Sequence, residues 1–112
     1  MPNNIYVPPA CYERLREVAR ARQTIFYSDL APYCEIDPKF VFPIFPILDE
    51  VNCREHVAGR RLLSAVVIAK RSGMPGPGFF KKAKEFGVCS GTVDRACWKA
   101  ELLRVHDFWS RH

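Results

Sequence analysis

The stretch VVIAKRSGMPGPGFFKKAKEFG, residues 66–87, narrows most sharply what this chain can become. An apolar run over residues 62–69 stops at Lys70 and enters a loop holding two prolines and three glycines, after which a lysine-rich segment begins. Val66, Val67 and Ile68 are β-branched, so residues 62–69 are predicted to form a strand. Residues 70–78 read as a turn or loop from their glycine and proline content. Residues 79–86 have room for two helical turns before Gly87 ends them. The apolar run is far below the roughly 20 residues that span a bilayer.

The remaining segments are mostly helical in pattern. Pro9 suits a first helical turn, and Tyr12, Leu15, Val18 and Ala19 recur at helical spacing, which predicts a helix over residues 9–23. Glu13, Glu17, Arg16 and Arg20 fall where pairs three or four residues apart can form across its outer face. Residues 24–27 predict a short strand or tight connection, and Ser28 a cap for a brief helix from Asp29, with Pro32 either keeping it short or marking its first turn. Asp37, Pro38, Pro43 and Pro46 punctuate the next stretch. Pro46 is expected to open a longer helix with Ile47, Leu48, Val51 and Val57 inward and Gly59 as terminator. A last helix over residues 92–109 lines up Trp98, Leu102, Val105 and Trp109, a stripe that reads as core. The fold class expected is α+β, mainly helical, as one compact domain over residues 1–112 with a winged-helix-like order and a short strand pair or wing.

Charge is distributed unevenly. The net charge is +5 overall, yet residues 29–50 carry −4 and residues 54–84 carry +7, counting Arg54, Arg60, Arg61, Lys70, Arg71, Lys81, Lys82 and Lys84 against Glu55. A block of that kind attracts phosphates or an acidic protein. The amino-terminal sequence lacks a basic flank followed by an apolar block, and the five cysteines are odd in number with no C-x-x-C spacing. Reduced, partly buried thiols and a soluble cytoplasmic setting are the corresponding expectations, with no membrane partner.

The loop is the strongest candidate site. Gly76 and Gly78 let backbone approach another surface, Lys70 and Arg71 precede the turn, and Lys81, Lys82 and Lys84 follow it. This is the pattern of a flexible wing touching a sugar-phosphate backbone. The plain alternative is a stiffened connection whose lysines serve only solubility. GMPGPGFFKK lacks the G-x-x-x-x-G-K-[ST] order of a nucleotide-binding loop. Cys53 and His56 can share a helical face, as a nucleophile and base or as half of a zinc site completed by Cys89 and Cys97, but an ordinary packed or surface histidine is the favoured reading. Ser64 lacks a G-x-S-x-G context and is expected to be buried with its hydroxyl on a backbone carbonyl. No catalytic residue, metal or cofactor is expected. Nucleic acid, double-stranded DNA in particular, is the expected partner, with docking onto an acidic protein or larger assembly as the alternative.

The run ILDEVNCREHVAGRRLLSAVVIAKRSGMPGPGFF resembles a group of small bacterial proteins that share a leucine-serine-valine run and a proline-glycine-phenylalanine turn. Residues 24–80 are also similar in order to the winged-helix domain of alkylguanine-DNA alkyltransferases and alkyltransferase-like proteins, with FYSDLAPYCEI in place of an aromatic residue and small helix. That resemblance implies DNA binding, with Tyr27 at the position of the tyrosine that assists nucleotide flipping. The family's Pro-Cys-His-Arg nucleophile block corresponds here to LLSA at residues 62–65, so alkyl transfer does not carry over.

Overall fold

Pro9 lacks an N–H that a first helical turn would leave unpaired, and helix α1 (Pro9–Arg20) opens on it. A computed structural model describes residues 5–89 and 94–112 of the chain. Cys11, Leu15, Val18 and Ala19 form the buried stripe of α1, and Arg14–Glu17, Arg16–Glu13 and Arg20–Glu13 pair on its outer side. Arg22 turns the chain with a φ of 56°. Strand β1 (Ile25–Phe26) follows and runs directly into α2 (Tyr27–Leu30). That helix begins two residues before the expected Asp29, and no side-chain hydrogen bond caps it. Pro32 then lies in the first turn of a 3-10 helix, Ala31–Cys34.

Helix α3 (Ile44–Val57) starts before Pro46, which occupies its first turn where no N–H is required. Leu48 and Val51 face inward as expected, whereas Val57 is 83% exposed. The buried face of α3 is instead completed by Glu50, Asn52 and Glu55. Gly59 closes the helix at a φ of +77°, a conformation that glycine adopts without strain.

The predicted strand over residues 62–69 is corrected. Leu63–Val66 form a 3-10 turn, and only Val67–Ile68 form strand β2. The cause is the company this segment keeps. It lies among α1, α3 and α5, all of which pack on the turn, and side chains replace strand neighbours as hydrogen-bond partners. Asn52 donates its amide to Ser64 Oγ at 2.7 Å and accepts from the Ser64 N–H at 3.2 Å. The Glu101 carboxylate accepts from the Leu62 N–H at 2.9 Å and from Arg61, and the Trp98 indole donates to the Ala65 carbonyl at 2.8 Å. Ser64 is therefore buried as expected, but its hydroxyl meets an asparagine side chain rather than a backbone carbonyl.

β1 and β2 pair in parallel, with Ile25 opposite Val67 and Phe26 opposite Ile68. The expected strand pair is present, although its direction differs from the antiparallel hairpin of a wing. Helix α4 (Pro77–Glu85) buries Phe79, Phe80 and Ala83 against the core, and α5 (Asp94–Ser110) buries Trp98, Val105 and Trp109. Thr92, at the expected start of the last helix, lies outside the described residues. The described chain is thus a mainly helical domain of five helices and a two-stranded parallel sheet. No described helix is long and apolar enough to cross a membrane.

Four of the five cysteines are paired, which corrects the expectation of reduced thiols. Cys11–Cys34 ties α1 to the 3-10 helix after α2, and Cys89–Cys97 ties the end of the α4 turn to α5. Cys53 alone is a free thiol. Disulfides of this kind persist in oxidising surroundings and are rare in the cytosol.

Glu101 has no solvent exposure and holds both a half-exposed arginine and a buried backbone N–H, so its removal leaves the Leu62 N–H unpaired and frees Arg61 to solvent. Glu101→Ala is expected to lower unfolding free energy by about 1–3 kcal/mol in chemical denaturation, chiefly through the unsatisfied Leu62 N–H. Glu85→Ala, which removes an exposed partner of Lys82, is expected to change it by less than about 0.5 kcal/mol.

Candidate functional site

The positive stretch from residue 54 to residue 84 separates into two populations. Arg54 donates to the buried Glu50 at 2.8 Å, Arg60 to the fully buried Glu55 at 2.6 Å, and Arg61 grips Glu101 through both Nε and Nη2. Lys82 pairs with Glu85 at 3.1 Å along α4. Lys70, Arg71, Lys81 and Lys84 are exposed, and among the described residues no carboxylate lies within ion-pair distance of them. Arginines in the first half of the stretch thus serve the fold, while four cations around the loop and α4 remain turned to solvent.

The loop that joins them is tied back on itself. The Ala69 N–H donates to the Met74 carbonyl at 2.9 Å, the Gly73 N–H to the Ala69 carbonyl at 2.8 Å, and Ser72 bridges to Met74. Arg95, near the start of α5, reaches the Ser72 carbonyl at 3.4 Å and adds a cation beside the turn. The left-handed backbone falls on Gly73 at a φ of +68°. Gly76 and Gly78, expected from the sequence to let backbone approach another surface, have no left-handed backbone angle. Their small size matters instead: a Cβ on Gly76 would sit 3.5 Å from Tyr27 Oη and 3.7 Å from Phe45, and one on Gly78 would sit 3.9 Å from Asp49.

Tyr27 and Gly76 are brought together directly. The Gly76 N–H donates to Tyr27 Oη at 2.8 Å, which locks the start of α4 to α2 across 49 positions of sequence. Tyr27 also packs on Phe45 with ring centroids 5.2 Å apart, and Phe42, 70% exposed, meets Phe45 edge-on at 5.9 Å. On the neighbouring strand, Lys70 Nζ lies 5.3 Å from the centroid of the Phe26 ring, a cation–π distance. Burial pushes the Tyr27 hydroxyl above the usual tyrosine pKa; the bond from Gly76 opposes the shift and nearby Asp49 adds to it. Burial likewise raises the pKa of Asp49, with Lys82 and Lys81 pulling it down and Glu85 pushing it up.

The other candidates resolve simply. His56 stacks on Phe86 with centroids 4.1 Å apart, and Cys89 and Cys97 bond to each other. Neither is therefore placed to complete a zinc site with Cys53 and His56, and no group of three metal-ligating side chains occurs among the described residues. Phe26, Phe42, Phe45 and Arg95 carry no local sequence signal beyond the aromatic run FVFPIF, because their roles arise from contacts between segments. No family model, curated protein or solved structure matches this chain, so a functional reading rests on this geometry.

Tyr27→Phe is expected to cost about 1 kcal/mol at neutral pH through loss of the Gly76 bond. Because the folded-state pKa is raised, the contribution of Tyr27 is fully present below about pH 10 and is lost as pH rises through the folded value. A stability profile in urea from pH 8 upward should therefore fall less steeply in the phenylalanine variant than in the wild type.

Proposed function

We propose that this protein binds double-stranded DNA without catalysis, through the surface formed by the 69–76 turn and the outer face of α4. The observation that carries this reading is the division of the cations: Lys70, Arg71, Lys81 and Lys84 face solvent with no carboxylate partner among the described residues, while their sequence neighbours are tied to carboxylates. Unpaired cations on a fixed scaffold release counterions from a phosphate backbone without first breaking an internal ion pair. Lys82 contributes less than expected from sequence, since Glu85 holds it. Tyr27, Gly76 and Gly78 act by fixing the α4 start beside the turn, and Arg95 extends the positive edge.

The winged-helix likeness is part of the proposal through the order of its parts: short helix, longer helix, strand, glycine-bent turn and basic helix. A cytoplasmic setting, where such a protein would meet a chromosome, also belongs to it. The two disulfides favour an oxidising compartment instead. Counting free thiols in protein quenched directly from cells decides between five in a reducing compartment and one in an oxidising one.

A second reading has its own observation. Phe40 and Phe42 are 65% and 70% exposed on the loop before α3, and paired exposed aromatics of this kind anchor protein interfaces. Under that reading the lysine surface complements an acidic partner. Co-purification after nuclease treatment separates the two, because a protein partner survives digestion.

If four phosphates are neutralised, the log of duplex affinity should fall with the log of salt concentration with a slope of about −3.6. Replacing Lys70, Arg71, Lys81 and Lys84 together by alanine should flatten that slope towards zero with little change in stability. A slope that is already flat in the wild type, or unchanged in the variant, would remove the proposal.

A further inference from the structure

A cleft of about 430 Å³ opens at the far end of α4 from the turn, lined by His56, Arg60, Arg61, Phe86, Glu101 and Arg104 among others. Its guanidinium groups are held in an unusual way. Arg60 uses Nε and Nη2 on Glu55, and Arg61 uses Nε and Nη2 on Glu101, so each is fixed along one edge by a carboxylate without solvent exposure. The Nη1 group of each makes no hydrogen bond among the described residues. Arg104, whose side chain is 54% exposed, approaches the same Glu101 at 3.7 Å from α5.

Glu55 and Glu101 offset Arg60 and Arg61, and Arg104 is the surplus charge. The carbonyl ends of α3 and α4 also face this region and would repel an anion if left open. They are closed by backbone donors: the Gly59 and Arg60 N–H groups bond back into α3, and the Gly87 and Val88 N–H groups into α4. What remains is a set of donors from two directions: Arg60 and Arg61, held by their carboxylates, and the exposed Arg104 of α5. One guanidinium fork suffices for the two oxygens of a carboxylate, whereas three guanidiniums on two sides suit a tetrahedral oxyanion.

We propose that this cleft binds the dianionic head of a phosphomonoester, with Arg60 and Arg61 held ready by their buried carboxylates and Arg104 supplying the net charge. Because Glu55 and Glu101 already hold Arg60 and Arg61, binding has only Arg104 left to order. The site is separate from the lysine surface and does not depend on duplex binding there.

The test uses the whole chain and two sources of the group. Phenyl phosphate is titrated into isotope-labelled protein at constant ionic strength, following the amides of Gly59, Gly87 and Val88. In parallel, affinities are compared for duplexes with 5′-phosphate and 5′-hydroxyl ends. Saturable shifts with phenyl phosphate place a small phosphorylated molecule in the cleft, and tighter binding of only the 5′-phosphorylated duplex assigns it to a nucleic-acid end.

Either response should weaken about tenfold or more in Arg104→Ala. That variant removes an exposed side chain, so its thermal midpoint without ligand should match the wild type. Lys81→Ala should leave the phenyl phosphate response unchanged. Phenyl phosphate shifts equal to those produced by chloride together with no preference for the phosphorylated end, or responses untouched by Arg104→Ala, would overturn the proposal.

Discussion

Two carboxylates with no solvent exposure, Glu55 on α3 and Glu101 on α5, govern how this chain closes. Each lies against the segment that links α3 to β2, and each is satisfied by an arginine from that segment, with Leu62 N–H adding a bond to Glu101 and Tyr12 Oη one to Glu55 at 3.1 Å. An ion buried this deeply costs several kcal/mol unless its lone pairs are filled, so the segment has one workable register. Asn52 and Trp98 then fix Ser64 and Ala65. Apolar burial supplies the drive for collapse; these bonds select which arrangement results.

That selection reaches the surface. Arginines whose charge is offset by the buried carboxylates add no net positive charge toward an external polyanion. The loop and α4 carry cations that no carboxylate claims, and this division, more than the total of positive residues, gives the two ends of α4 different properties. At one end, lysines stand beside a closed turn, with Tyr27 and Phe45 behind the start of the helix. At the other, pre-positioned guanidiniums line a cleft.

Much of the helical framework was legible in the sequence, because Pro9, Gly59, Gly87 and the Trp98–Val105–Trp109 spacing are local signals. The apolar run at residues 62–69 misled because β-branched residues suit any fully buried segment. Its 3-10 turn is dictated by Glu101, Asn52 and Trp98, which lie 12 to 40 positions away. The inward face of α3 was misread for a related reason: Glu50, Asn52 and Glu55 look like surface residues until their partners are known, and Val57 looks like core.

The candidate site was legible in part. Lysines flanking a glycine-rich loop are visible in the string, and the unpaired four were among those named. Which cations were already committed was not visible, since Arg61 meets its carboxylate 40 positions away. Nor was the role of Tyr27 toward Gly76, which spans 49 positions. Cysteine pairing was hidden for the same reason: Cys11 and Cys34 are 23 residues apart and meet only after α1 packs on the 3-10 helix Ala31–Cys34, with Cα atoms 4.8 Å apart.

Proton exchange at arginine Nε–H groups, resolved by nuclear magnetic resonance near neutral pH, reads this division of cations most directly. Arg60 and Arg61 should show Nε protons exchanging far more slowly than that of Arg71, because each is bonded to a buried carboxylate. Equal, rapid exchange at all three would contradict the account, since the arginines would then be as free as the loop cations from which they are here distinguished.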